Sequence, residues 1–185
     1  MKLRAVLDGI SLRKLNGDPD IEITAVCAHS QEVTSGSLFI ALKGSFHDGH
    51  DFIPEAVAKG ARAVMVEEEV PVPAGISMAL VDNTQSAQAL AGKNFYGDPA
   101  SKLKLIGITG TKGKTTTAFM THSILKAAGF KTGLIGTIYN IVNGEKLATK
   151  NTTPDSLTLQ QLLAEMVKAK TEYVVMEVSS HAIAL

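Results

Sequence analysis

Short apolar runs separated by turn-forming residues set the pattern of this chain. Residues 21–29 (IEITAVCAH) and 37–42 (SLFIAL) are rich in β-branched and aromatic side chains and predict strands. Residues 51–60 (DFIPEAVAKG) predict a short helix closed by Gly60, and ARAVMVE and SMALVD predict two further strands. A helix then runs through NTQSAQALAGKNFY, capped by Asn83 or Thr84. Turn formers gather in GDPAS, residues 97–101, the best candidate linker. After it, KLKLIGIT is continuously apolar, as expected of a strand buried on both faces of a parallel sheet. A helix is predicted from about Thr115 to Ala128, closed by Gly129. A strand and a hairpin with Asn143-Gly144 in a type I′ turn come next. Thr153 is placed to cap a helix with Pro154 at its first position. Leu159, Leu162, Leu163, Met166 and Val167 share one face of that helix. The final run, YVVMEVSSHAIAL, is an apolar strand that leads into polar residues.

This order predicts an α/β protein. A small N-terminal α/β domain over residues 1–98 precedes a parallel-sheet, P-loop-type ATP-binding domain over residues 99–185. The second domain supplies only about three parallel strands where doubly wound sheets usually have five or six, so it is expected to be incomplete and the chain to be a piece of a longer protein.

Composition narrows the class. Hydrophobic residues at 45% and charged residues at 19% describe a globular chain, not a disordered one. Eighteen basic residues balance eighteen acidic ones, so the basic excess of a nucleic-acid-binding surface is missing. Cys27 is the only cysteine, which fits a reducing compartment. No apolar stretch approaches the roughly 20 residues of a membrane span, and charges interrupt the N-terminal segment where a signal peptide would be apolar. A cytoplasmic monomer without nucleic-acid or membrane partners is expected.

The chemistry concentrates in GITGTKGKTTT, residues 107–117. A strand, a tight loop with Gly110 and Gly113, and Lys114-Thr115 opening a helix form the context of a phosphate-binding loop. Glycines let backbone N–H groups approach phosphate oxygens, Lys114 reaches the β- and γ-phosphates of ATP, and the Thr115 hydroxyl sits on Mg²⁺. The helix N-terminus adds partial positive charge. Position 108 is Ile where the general G-x-x-x-x-G-K-[ST] pattern has Gly, which argues against common GTPases and adenylate-type kinases. Glu177 ends an apolar strand, where a phosphate-loop site needs a carboxylate for Mg²⁺.

The compact G-T-x-G-K-T-T of Gly110–Thr116 resembles the Mur ligase superfamily, which also includes folylpolyglutamate synthases. Three more stretches narrow the resemblance to UDP-N-acetylmuramoyl-dipeptide ligases of the MurE type: NTTPDSL at 151–157, MEVSSHA at 176–182, and HSQEVTSGSLFIALKGSFHDGHDFI at 29–53. The resemblance implies that Ala28, Ser30, Ser45, Phe46 and His47 touch the UDP end of a nucleotide sugar. It implies that Gly110, Thr111, Lys112, Gly113, Lys114, Thr115 and Thr116 hold ATP. Asn151, Thr152, Thr153 and Ser179 would line the muramoyl-peptide site, Thr115 and Glu177 would hold Mg²⁺, and Lys114 and Glu177 would carry the catalytic charge. The implied reaction joins a free amino acid to UDP-N-acetylmuramoyl-L-Ala-D-Glu through an acyl phosphate, as a step of peptidoglycan precursor synthesis. The family's remaining substrate contacts, its carbamylated lysine and its amino-acid-binding domain would lie beyond Leu185, so residues 1–185 alone are expected to be inactive. His29-Ser30-Gln31 stands where the family usually has Asp-Ser-Arg, and Lys112 replaces a commoner Asn. Another ligase of the superfamily, of MurF or folate-polyglutamating type, and a non-catalytic nucleotide-binding protein are the alternative readings.

The other conspicuous residues have plainer expectations. His47 and His50 are three apart but lack a third ligand nearby, His122 reads as a surface or interhelix residue, and Cys27 as a small buried hydrophobe. His181 reads equally as a site neighbour or a packing residue. Thr152-Thr153 can be a helix cap and a substrate contact at once, because a helix N-terminus attracts anions.

Overall fold

The computed structural model describes residues 1–44, 47–149 and 151–180. They divide into two compact units, Met1–Phe95 and Tyr96–Leu185.

The first unit contains α1 (Leu3–Val6), β1 (Leu12–Asn16), β2 (Ala25–Cys27), β3 (Ser37–Ile40), α2 (Ile53–Ala58), β4 (Ala63–Val66), β5 (Ser77–Val81) and α3 (Thr84–Phe95). Its sheet has the order β1-β5-β4-β3-β2, parallel except for β1, which runs antiparallel to β5 at one edge. Every residue of β3, β4 and β5 is buried, as their unbroken apolar runs require. Their side chains meet in a core around Phe39, Val64, Val66, Met78 and Leu80. Hydrophobic patterning does not predict α1 and β1. The first has a single turn, and the second, LRKLN, carries an adjacent Arg13-Lys14 pair on an exposed edge. Such charges are a usual protection of edge strands. Asn83 caps α3, its Oδ1 accepting from Ser86 N at 2.7 Å.

The second unit contains β6 (Lys104–Ile108), α4 (Lys114–Ala127), β7 (Thr132–Ile135), β8 (Asn140–Val142), β9 (Glu145–Leu147), α5 (Ser156–Lys168) and β10 (Tyr173–Glu177). The strand order is β6-β10-β7-β8-β9. The last strand in the sequence, β10, lies between β6 and β7 and is parallel to both. Alternation along the strands sorts the helices onto opposite faces. Leu134 and Val175 pack with Ala118 of α4, whereas Ile135 and Val174 pack with Leu162, Leu163 and Met166 of α5. The β8–β9 hairpin turns at Asn143 and Gly144, whose φ values of 51° and 82° are those of the predicted type I′ turn.

Two expectations are corrected. The run KLKLIGIT forms β6, but β6 is an edge strand here with no fully buried residue, and Leu105 is 43% exposed. A continuous apolar run encodes the capacity for burial, not the position in the sheet. The cap of α5 is Asp155 and not Thr153: its carboxylate accepts from Thr158 N at 3.0 Å and Thr158 Oγ1 at 2.7 Å, and the helix starts at Ser156. Asp155 is the first residue after Pro154 whose side chain can reach the free N–H groups of that turn. Of the two readings of His122, surface or interhelix, burial excludes the first: it lies on the face of α4 that carries Ala118. The GDPAS stretch forms a 3-10 turn at Pro99–Lys102 that places Ala100 and Leu103 against the α5 side of the core.

Candidate functional site

Parallel strands present their carboxyl ends on one side of a sheet, where ligand sites of α/β proteins form. Three segments of the second unit emerge there: the loop after β6, Gly136-Thr137 after β7, and the residues around Glu177 at the end of β10.

The loop after β6 turns into α4 through Gly113, whose φ of 78° is left-handed and costs glycine no Cβ strain. Nothing lies within 4 Å of the place a Cβ of Gly113 would take, so the backbone is open to an approaching group. The first N–H groups of α4 have no acceptor within the helix and form a natural anion site. Lys114 curls over the loop and donates from Nζ to the Gly110 carbonyl at 2.8 Å. Thr111, Lys112 and Thr116 are exposed around it.

Glu177 is 0% exposed, yet no basic side chain pairs with it among the described residues. Neutral donors hold it instead. Thr115 Oγ1 donates to Oε2 at 2.8 Å across 62 residues of sequence. Thr137 donates from its backbone N to Oε1 at 3.0 Å and from its hydroxyl to Oε2 at 3.0 Å. Space for the carboxylate comes from Gly136: a Cβ there would overlap Oε1 and lie 3.1 Å from Cδ.

The segment before α5 joins the same cluster. Thr152 Oγ1 lies 3.1 Å from Thr137 Oγ1. Thr153 donates from Oγ1 to the Glu177 carbonyl at 3.0 Å and accepts from Ser179 N at 3.0 Å, and its hydroxyl is 3.4 Å from that of Ser179. Thus Thr115, Thr152, Thr153, Glu177 and Ser179, all singled out in the sequence, converge. Asn151 is exposed, and its carbonyl accepts from Thr149 Oγ1 at 2.6 Å. Gly136 and Thr137 escaped the sequence reading. Their only signal was position, directly after the apolar strand TGLI.

In the first unit, Ser30 is buried in the 3-10 turn Ser30–Glu32. It donates to Glu55 Oε2 at 2.8 Å, and its carbonyl accepts from Lys59 Nζ at 3.1 Å. Glu55 of α2 pairs at 2.7 Å with Lys59, the residue that caps the end of that helix. This pair supplies the charge around Ser30, while His29 and Gln31 are exposed on either side. Lys59 and the Ser30 hydroxyl hold the Glu55 carboxyl below its usual range. Ala28 is half-buried and His47 exposed, with the His47 ring edge-on to Phe52. Ser45 and Phe46 lie outside the described residues, as does His181. His50 has both ring nitrogens engaged: Nδ1 is 2.5 Å from Asp48 Oδ1, and Nε2 accepts from Glu67 N at 3.1 Å. The ring therefore serves to join the Gly49–Phe52 turn to the end of β4.

Known proteins resemble both units of the chain. Residues 22–96 match the Mur ligase family, catalytic domain, and residues 108–185 match the Mur ligase middle domain. The chain is 45% identical over 185 residues to the UDP-N-acetylmuramoyl-L-alanyl-D-glutamate–2,6-diaminopimelate ligase of Bacteroides fragilis; the match takes in all of this chain and 38% of that protein. A solved structure of a ligase of the same name superposes over 100% of this chain and 37% of its own, with a TM-score of 0.77 at 23% identity, a likeness of fold. The MurF ligase of Thermotoga maritima in complex with ADP gives a TM-score of 0.60 at 25% identity, covering 86% of this chain and 32% of its own. The chain therefore spans well under half the length of the relatives that it matches. With one domain model falling on each of its two units, in order, the chain belongs to the Mur ligase family.

Proposed function

We propose that this chain supplies the nucleotide-sugar-facing domain and the ATP-binding segment of an ATP-dependent ligase that joins an amino acid to UDP-N-acetylmuramoyl-L-Ala-D-Glu. The observation that carries the proposal is the Thr115–Glu177 contact at the mouth of the Gly110–Lys114 loop. The first residue after a phosphate-loop lysine meets a strand-end carboxylate, as phosphoryl transfer from a nucleotide requires. The name of the Bacteroides fragilis relative supports the choice of substrate.

The donor set fits Mg²⁺. A hydroxyl and a carboxylate are hard oxygen ligands, and a fully buried carboxylate without a basic partner is a group that a cation completes. Bound between Thr115 and Glu177, Mg²⁺ would offset negative charge on the nucleotide phosphates. The rest is work for the chain's own groups. The first-turn N–H groups of α4 grip phosphate oxygens. Lys114 moves from the Gly110 carbonyl to the transferring phosphoryl group and neutralises charge there. Thr152, Thr153 and Ser179, tied to the end of β10, orient the peptide carboxylate that receives the phosphoryl group. The resulting acyl phosphate is an electrophile that an amine can attack, whereas the free carboxylate is not. Most of the rate enhancement is then positioning and electrostatics. Ala28, Ser30 and the Ser45–His47 stretch are the proposed contacts to the UDP end.

Calorimetric titration tests the proposal, with ADP in the presence of Mg²⁺ or of EDTA and with the UDP-muramoyl dipeptide. Lys114→Ala is expected to weaken nucleotide binding more than tenfold at an unchanged melting temperature. Glu177→Gln is expected to remove most of the Mg²⁺ dependence. Wild-type affinity in Lys114→Ala refutes the phosphate-loop assignment.

A further inference from the structure

The hydroxyl of Thr137 stands between two groups with different proposed tasks. Its oxygen is 3.0 Å from Glu177 Oε2 and 3.1 Å from Thr152 Oγ1. A threonine hydroxyl has one proton and two acceptor positions. The Thr137 hydroxyl is the donor in both contacts, so its one proton is shared between Glu177 Oε2, the stronger acceptor, and Thr152 Oγ1. The Thr137 hydroxyl therefore bridges Glu177 and Thr152. Thr137 also grips the other carboxylate oxygen, Oε1, through its backbone N–H. Among the described residues, two of the three side-chain bonds of Glu177 come from this one residue, and the third comes from Thr115.

The three bonds are not equivalent. Once the Thr115 oxygen turns toward a cation, its bond to Glu177 can no longer be relied on to hold the carboxylate. The two bonds from Thr137 do not depend on Thr115, and the missing side chain of Gly136 leaves the space that Oε1 occupies. We propose that Thr137 is the positioning residue of this site: it fixes the Glu177 carboxylate for the metal-bound nucleotide and, through Thr152, ties that carboxylate to the segment that holds the second substrate. The inference rests on the assignment of Thr115 and Glu177 made above. Thr137 itself touches neither nucleotide nor substrate in this account. It acts through its two neighbours, which makes the metal dependence of binding, and not stability, its distinctive readout.

The test compares Thr137→Val, which keeps the shape and the backbone N–H but deletes the hydroxyl, with Thr137→Ser, which restores the hydroxyl. ADP is titrated into each chain with Mg²⁺ and again with EDTA, and melting temperatures are recorded beside the titrations. In Thr137→Val, affinity for Mg²⁺-ADP is expected to fall about tenfold with affinity for metal-free ADP unchanged, and Thr137→Ser is expected to return it to within about threefold of wild type. Equal Mg²⁺ dependence in Thr137→Val and wild type overturns the inference and leaves the phosphate-loop assignment standing. So does equal loss in the Val and Ser variants, which marks a packing role. A wild-type chain that binds ADP identically with and without Mg²⁺ overturns the metal assignment of Thr115 and Glu177, and this inference with it.

Discussion

Replacing Gly136 with alanine adds one methyl group at the most crowded point of the site. The new Cβ would overlap Glu177 Oε1 and approach Cδ to 3.1 Å and Cγ to 3.3 Å. Gly136 has no left-handed φ, so the backbone itself accepts alanine. The cost comes from the carboxylate, which must turn away and surrender bonds at 3.0 Å to Thr137 N, 3.0 Å to Thr137 Oγ1 and 2.8 Å to Thr115 Oγ1. Hydrogen bonds to charged groups contribute about 1.5–3 kcal/mol each, so losing two costs about 3–6 kcal/mol. Alanine returns about 0.4–1 kcal/mol by restricting the unfolded chain. A net loss of about 3 kcal/mol is expected, and in a unit of this size each kcal/mol lowers the melting temperature by about 4–8 °C. Urea denaturation followed by circular dichroism measures it. Gly107→Ala is the control, because its Cβ would meet only Val178 Cγ2 at 3.4 Å; a change within about 0.5 kcal/mol is expected there. On a Glu177→Ala background the Gly136→Ala substitution should become nearly silent, since the clashing atoms are gone. A Gly136→Ala midpoint indistinguishable from that of Gly107→Ala refutes the reasoning.

Four further outcomes follow from the geometry. Asp155→Ala should cost about 1 kcal/mol in urea denaturation by removing the cap of α5, and Thr153→Ala should leave the helix intact but loosen the Glu177–Ser179 segment, visible as faster exchange of the Ser179 amide that donates to the Thr153 hydroxyl. Burial, aided by Lys126, lowers the pKa of His122. Folding therefore favours the neutral ring: this contribution is complete above the unfolded value of about 6.5 and is lost as pH falls from there through the folded value. His122→Phe should flatten the slope of stability against pH below about 6.5, and an unchanged slope would exclude His122 as its source. Burial pushes the Cys27 thiol up to about 11, so a thiol reagent at pH 8 should label it only after urea is added, since the thiolate is the reactive form; rapid labelling in native buffer would contradict the burial.

How far the site could be read from the sequence depended on whether each part is local. The loop from Gly110 to Thr116 is local, because glycines, lysine and helix start lie in one stretch. Glu177 was legible as a strand-end acid. Thr137 was not, because its importance comes from β10 lying between β6 and β7, a pairing no periodicity encodes. The cap of α5 was misplaced by two residues because Thr153 and Asp155 both suit an N-cap in isolation. Only the fold shows that the Thr153 hydroxyl is taken by the end of β10. The charged strand β1 was invisible for the opposite reason: its pairing with β5 is carried by the backbone and its outward side chains carry no apolar signal.

The position of β10 also dictates when the site comes into being. β6 and β7 leave the ribosome first, yet they are not neighbours in the finished sheet; each pairs with the strand that comes after both. Thr137 and Glu177 are 40 residues apart, an interval of about 2–8 s at a synthesis rate of 5–20 residues per second. During that interval the nascent chain has a glycine-rich loop and two open strand edges but no carboxylate to organise them. Closing the sheet is a non-local step and therefore a slow one. The same insertion that ends the exposure of the edges brings Glu177 to Thr115 and Thr137. Under the proposed function, capture of Mg²⁺-nucleotide would be coupled to completion of the fold, and nucleotide present during refolding should favour the last pairing step, not the first.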